Sequence, residues 1–184
     1  SASPHLEPIS RTTIVDETGK TWTRSNVTTS TTTARWNGSS LYFAGTGYLI
    51  RNSDSSFATG TTDFTWEAWV YAATTGAWSR LLETSPYNSA AQGWHISFNG
   101  TDGAGSRRVG VQLAKSGGGG TRLESDAAFP NNTWTHVAFT RESNVGRLWI
   151  NGTPQSTTLD LSAENWQVQS MCYGATTDTF SNLF

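Results

Sequence analysis

The segment Asp63-Phe64-Thr65-Trp66-Glu67-Ala68-Trp69-Val70-Tyr71 decides the fold, because its character alternates from residue to residue. One side of this segment would carry Phe64, Trp66, Ala68 and Val70, and the other Thr65, Glu67, Trp69 and Tyr71. A period of two with aromatic and β-branched residues is typical of a half-buried β-strand. The second side carries two aromatic rings and a carboxylate, so we expect it either to bind something or to be covered by something.

Similar short strands, separated by turn sequences, are predicted along most of the chain. They are Thr12–Val15, Lys20–Thr23, Ser40–Phe43, Tyr48–Arg51, Trp78–Glu83, Trp94–Phe98, Arg108–Ala114, Trp134–Arg141 and Arg147–Asn151. The threonine-rich stretch Val27–Ala34 fits either an exposed strand or a loop. Asn-Gly pairs at Asn37, Asn99 and Asn151 are strong hairpin signals, because both residue types tolerate positive φ. No helical or βαβ periodicity occurs, so the chain is predicted to be an all-β sandwich or barrel.

The composition indicates one domain and excludes several kinds of partner. Charged residues make up 14% of the 184 residues and the net charge is −2, so no basic surface for nucleic acid is expected. Every apolar run is much shorter than the ~20 residues that span a bilayer, so no membrane insertion is expected. Cys172 is the one cysteine, which rules out an internal disulfide and a cysteine zinc site.

Four motifs resemble a known family. Their order along the chain is Gly38–Leu49, Asp63–Val70, Asn132–Arg141 and Gly146–Gly152. This combination resembles the laminin-G-like and pentraxin-like branch of the concanavalin A-like lectin/glucanase superfamily. The resemblance covers roughly Thr12–Tyr173 and implies a jelly-roll sandwich of two antiparallel sheets. The sandwich is predicted to span residues 12–184, and residues 1–11 are predicted to form an extended arm because they include Pro4 and Pro8. Modules of this type occur in secreted bacterial glycan-binding proteins and in virion proteins of tailed phages.

The carboxyl-terminal sequence departs from the family pattern. In the family a further strand follows, with a Gly-Tyr-Ile-Asp-Asp-like sequence, whereas this sequence stops at Phe180–Phe184. We therefore expect the sandwich to lack its final strand. Either the sequence is partial, or another chain supplies the missing edge.

The residues do not support an enzyme. Laminarinase-type relatives carry Glu-x-Asp-x-x-Glu, and the nearest match here is Glu124-Ser125-Asp126 followed by Phe129, so the second catalytic carboxylate is absent. The sequence contains no Gly-x-Ser-x-Gly motif, the nucleophile elbow that would support a serine catalytic triad. His136 is interpreted as a structural histidine on the outer side of its strand. If its strand neighbours that of Glu67, the two side chains are predicted to pair.

No cofactor or metal site is predicted, and calcium remains the alternative because related modules often bind it. Calcium requires six to eight oxygen ligands, usually with two or more carboxylates. The loop acids available form no dense cluster and match no calcium motif of the family. They are Asp54, Asp63, Asp102, Asp126, Asp160 and Asp178.

Two aromatic groups are candidates for binding a glycan or a protein partner. Sugars dock their apolar C–H faces on aromatic rings, while polar side chains bind the hydroxyls. The first group lies on the outer side of two predicted strands and consists of Glu67, Trp69, Tyr71, Arg147 and Trp149. The second lies in loops or near strand ends and consists of Trp78, Tyr87 and Trp94, with Asn88, Asn99 and Asp102 as polar partners.

Three functions follow in order of preference. The first is a non-enzymatic structural or adhesive module of a tailed-phage virion (a capsid decoration, fibre or tail-associated domain). It would lie on the virion surface and contact other virion subunits or further copies of itself. The alternative is a secreted, extracellular carbohydrate-binding module of a bacterium. A glycan hydrolase is disfavoured by the missing carboxylate.

Overall fold

The computed structural model describes residues 13–36, 38–73, 79–84, 93–98, 107–114, 120–167 and 169–174. These ranges contain twelve strands: β1 (Thr13–Val15), β2 (Thr21–Ser30), β3 (Ser40–Asp54), β4 (Phe64–Tyr71), β5 (Ser79–Glu83), β6 (Gly93–Phe98), β7 (Val109–Ala114), β8 (Arg122–Glu124), β9 (Trp134–Glu142), β10 (Val145–Ile150), β11 (Thr153–Asp160) and β12 (Gln169–Tyr173). A single 3-10 turn, Ser55–Phe57, follows β3. Within the same ranges, no helix has the length and apolar character needed to cross a bilayer.

The strands form two antiparallel sheets. The larger sheet has eight strands in the order β1-β2-β3-β12-β5-β6-β7-β8, and the smaller has four in the order β11-β10-β9-β4. Strand β12 therefore lies between β3 and β5, and β4 forms one edge of the smaller sheet beside β9. This architecture confirms the predicted all-β sandwich of two antiparallel sheets.

The core fills the space between the sheets. Phe98 and Val111 from the larger sheet and Phe139 and Leu148 from the smaller one are fully buried in a single cluster, together with Trp166. Burying each large apolar side chain contributes roughly 1.5–3 kcal/mol. The predicted inward side of β4 is confirmed, because its members all pack in or against this cluster: Phe64, Trp66, Ala68 and Val70.

The prediction of two short strands at Ser40–Phe43 and Tyr48–Arg51 was wrong, because β3 runs through both. The register with β2 shifts between Ser25 and Val27, where Asn26 has φ 49°. A Cβ at Gly47 would lie 2.5 Å from the carbonyl oxygen of Asn26, so glycine lets the two backbones approach at this bulge. The threonine-rich stretch is strand as far as Ser30.

Three strands were absent from the sequence-based prediction: β8, β11 and β12. Strand β11 is an edge strand with a polar sequence, and within it only Leu159 is buried. An edge strand at the periphery of the core buries few side chains, so the apolar alternation that reveals the other strands is missing there.

Candidate functional site

The outer face of the smaller sheet brings most of the first predicted group together. In β4 and β9, Trp69 lies opposite His136, and Tyr71 lies opposite Trp134. The ring centroids of Tyr71 and Trp134 are 5.5 Å apart, and those of Trp69 and His136 are 5.3 Å apart. Alternate residues of both strands face the core, so these rings lie on the side turned away from it.

The predicted contact between Glu67 and His136 is confirmed. The Nε2 atom of His136 lies 3.3 Å from a carboxylate oxygen of Glu67. The imidazole is thus held between this carboxylate and the ring of Trp69. His136 lies on the outer side of its strand, as its position in the sequence suggested.

Two residues that the sequence analysis missed complete this surface. Arg35 and Trp36 belong to the connection between β2 and β3, yet they contact Trp69 of the smaller sheet. Trp36 meets Trp69 edge-on, with centroids 5.3 Å apart and planes at 87°. The Cζ atom of Arg35 lies 4.3 Å from the centroid of Trp69 and 4.9 Å from that of Trp36. The β2–β3 connection therefore reaches around the edge strand β4 onto its outer side.

These elements form an open groove of about 620 Å³, a size typical of small-molecule sites (roughly 300–1,000 Å³). The described residues that line it are Arg35, Trp69, Thr133, Trp134, His136, Asn151 and Gly152. They combine two indole rings with a guanidinium, an imidazole, an amide and a hydroxyl. We call this feature the outer-face groove.

The Asn151-Gly152 turn supports one wall of the groove. Both residues have positive φ, 50° and 77°, as the sequence predicted for a tight hairpin. The side-chain oxygen of Asn151 accepts a hydrogen bond from the backbone N–H of His136 at 2.9 Å, and the Asn151 N–H donates to the His136 carbonyl at 2.9 Å. These two bonds tie the turn to β9 beneath the groove.

The remaining members of the first group lie beside the groove rather than in its described lining. Trp149 lies opposite Ala138, and Arg147 lies opposite Thr140. The indole N–H of Trp149 donates to the Thr140 hydroxyl at 3.0 Å, which fixes the ring on the sheet. Only Trp69 of this group lines the groove directly.

The second predicted group is corrected at Trp94. This ring is 4% exposed and lies in the core, 5.0 Å from Phe139 and 6.1 Å from Trp166 between centroids, so it offers no surface to a ligand. It faces inward because it alternates with His95, which takes the other side of β6. The other members, Trp78, Tyr87, Asn88, Asn99 and Asp102, lie outside the described residues.

A second feature missed by the sequence analysis is a buried polar row on the larger sheet. Glu83, His95 and Gln112 lie opposite one another on β5, β6 and β7, and Arg80 lies 4.0 Å from Glu83. Burial, followed by the charges of Arg80 and Arg122, lowers the pKa of His95 to about 3, while a hydrogen bond with Gln112 opposes the shift. The imidazole is consequently neutral at pH 7.

Three of the acids considered as calcium ligands accept hydrogen bonds from backbone donors. Asp54, Asp126 and Asp160 accept hydrogen bonds from the N–H groups of Ser56, Ser156 and Ser162. Hydrogen bonds from the side chain and then the backbone of Ser56 lower the pKa of Asp54, and bonds from the backbone and then the side chain of Ser162 lower that of Asp160, as hydrogen bonding to the charged form does. Within the described ranges, no group of three or more His, Cys, Asp or Glu side chains could hold a metal ion.

Comparison with known proteins identifies the superfamily of this fold. A family model for the concanavalin A-like lectin/glucanases superfamily matches residues 43–180. The chain belongs to this superfamily. The sequence resemblance is thereby confirmed, and with it the assignment of the two sheets. No protein with a curated description matches the chain.

Two solved structures are similar to this chain. Domain 4 of an extracellular arabinanase from Geobacillus stearothermophilus, in complex with arabinotriose, is 11% identical; the alignment covers 87% of this chain and 78% of that one, with a TM-score of 0.52. A carbohydrate-binding module from Bacillus subtilis is 15% identical; the alignment covers 83% of this chain and 87% of that one, with a TM-score of 0.49. At such identities the similarity concerns the fold alone.

Proposed function

We propose that this superfamily member is a non-catalytic carbohydrate-binding module whose ligand occupies the outer-face groove. One observation carries the proposal: an open groove of ligand size combines the indoles of Trp69 and Trp134 with polar groups from Arg35, His136 and Asn151. Indole rings offer apolar surface to the C–H faces of a sugar, and the polar groups are suited to its hydroxyls. The similar Geobacillus domain was solved with arabinotriose, which agrees with a glycan as the ligand.

The module is proposed to be non-catalytic because of the side chains that line the groove. Glycoside hydrolysis generally requires two carboxyl groups that flank the scissile bond. The described lining contains none, and the nearby Glu67 is engaged with His136. The groove is therefore suited to holding a sugar rather than cleaving it.

The prediction of a tailed-phage virion module finds no support in the fold or in the comparisons, and we do not extend the proposal to it. A carbohydrate-binding module fits the same sandwich and the outer-face groove. An extracellular location and self-association stay predictions. Secretion from the source cell and sedimentation of the purified chain are the measurements that bear on them.

The experiment compares two aromatic variants by affinity electrophoresis on soluble polysaccharides, followed by calorimetry with the best ligand. Trp134→Ala removes a groove wall, and we expect at least a tenfold loss of affinity, about 1.4 kcal/mol. Tyr42→Ala is the matched control, because this exposed aromatic of β3 is not among the described groove residues. We expect it to bind within twofold of the unaltered chain.

Circular dichroism and thermal melting establish that both variants remain folded. Failure of the unaltered chain to bind any polysaccharide in a broad panel contradicts the proposal. Equal loss of affinity in Trp134→Ala and Tyr42→Ala removes the assignment of the groove.

A further inference from the structure

The outer-face groove has a charge character opposite to that of the whole chain. The chain carries 12 basic and 14 acidic residues, a net charge of −2. The described groove lining contains the guanidinium of Arg35 and the imidazole of His136, but no carboxylate. A site whose only fixed charge is positive favours a ligand with a negative group.

The environment of Arg35 leaves its N–H donors available. Its guanidinium lies in the corner between the perpendicular rings of Trp36 and Trp69, so cation–π attraction holds it there. By contrast, Arg51 and Arg122 each pair with a carboxylate, and Arg141 donates to backbone carbonyls. Among the described residues, Arg35 contacts no carboxylate and donates no hydrogen bond.

A guanidinium held in this way is suited to a planar anion. Its rigid fork donates two parallel hydrogen bonds to a carboxylate, and the contact with the two indoles reduces the rotational freedom lost on binding. Glu67 does not compete with a ligand for Arg35, because its carboxylate pairs with His136. The Glu67 side chain is 63% exposed and does not belong to the described groove lining.

We propose that the ligand of the outer-face groove is an acidic glycan, and that Arg35 binds the carboxylate of a uronic acid residue. This inference rests on the proposed carbohydrate-binding function and adds the substrate class. The indoles of Trp69 and Trp134 distinguish the site from a simple anion site, because they provide apolar surface for the sugar ring beside the charge.

The test uses oligosaccharide pairs that differ only in charge. Oligogalacturonate, oligoglucuronate and oligomannuronate are each compared with the carboxyl-reduced form of the same chain by calorimetry. We expect at least one acidic member to bind tenfold or more tightly than its reduced form. Dextran sulfate and dextran form a further pair that separates carboxylate from sulfate recognition.

Two substitutions assign the effect to Arg35. Arg35→Gln is expected to bring the acidic-to-neutral affinity ratio close to one, and Arg35→Lys to restore it in part, because lysine keeps the charge without the fork. Lys20→Gln is the control: it also removes one positive charge, in the turn at the opposite end of β2 from Arg35. We expect the ratio to be unchanged in that variant.

The outcomes separate the two proposals. Equal binding of acidic and reduced forms overturns the acidic ligand while the carbohydrate-binding function stands. Preference for dextran sulfate alone overturns carboxylate recognition, and a ratio unaffected by Arg35→Gln overturns the role of Arg35. Absence of binding to every glycan, acidic or neutral, removes the proposed function itself.

Discussion

Acidification is predicted to destabilise the fold through His95. This side chain is fully buried on β6, opposite Glu83 and Gln112. Burial and the nearby charges of Arg80 and Arg122 lower its pKa to about 3. The folded chain therefore keeps the imidazole neutral at pH 5, whereas an unfolded chain protonates it.

The magnitude follows from the two pKa values. Histidine in an unfolded chain titrates at about 6.5. Because the folded-state pKa is the lower one, the stability from this group is fully present above about pH 6.5 and is lost as the pH falls towards 3. Between pH 7 and pH 5 the linkage removes about 2 kcal/mol from the free energy of unfolding. Aspartates with lowered pKa values, such as Asp54 and Asp160, add little in this window, because unfolded aspartate titrates at about 3.9.

The assay is urea unfolding at pH 7, 6 and 5, followed by tryptophan fluorescence, on the unaltered chain and on His95→Gln. Glutamine is polar and does not titrate, so the difference between the two pH profiles isolates His95 from His136 and the carboxylates. We expect the unaltered chain to lose about 2 kcal/mol more than His95→Gln over this range. Parallel profiles of the two proteins would refute the reasoning, whatever the absolute stability of the variant.

Two further predictions concern the core. Arg141 is 2% exposed and donates hydrogen bonds to the carbonyls of Leu161 and Glu164. Arg141→Met should leave these buried acceptors unpaired and lower the free energy of unfolding by about 3 kcal/mol. A urea midpoint equal to that of the unaltered chain would contradict this. A Cβ at Gly146 would lie 3.0 Å from Leu161 and 3.1 Å from Phe139, so Gly146→Ala should cost roughly 1–3 kcal/mol by overpacking, measured as a lower melting temperature. No change in melting would show that these neighbours move aside freely.

Much of the sandwich could be predicted from strong local patterns. The side assignments in β4, β9 and β10 were correct because each strand alternates apolar and polar residues, and successive Cβ atoms must point to opposite faces. The polar edge strand β11 was missed for the same reason, since it buries little and alternates weakly. The Asn151-Gly152 turn was recognised because its residues favour the positive φ angles that it adopts.

Only part of the candidate site could be predicted from local sequence patterns. Trp69 was placed on the outer face, and its neighbour Glu67 was paired with His136, because both inferences need only strand alternation and one assumed strand pairing. Arg35 precedes a turn and carries no periodic pattern, so nothing local indicated its position over Trp69. Trp94 was predicted to bind a ligand but lies in the core. An aromatic residue near a strand end can face the core or the solvent, and the sequence alone does not show which.

The sequence alone determined which side chains lie on each side of a strand, because alternation follows from backbone geometry within a few residues. Only the tertiary structure decided which connection lies over the outer face and which polar row is buried. Arg35 meets Trp69, which is distant in sequence, only when the β2–β3 connection packs on the smaller sheet, and Glu83 meets His95 only when β5 pairs with β6. Neither arrangement has a signature within the few residues around these positions.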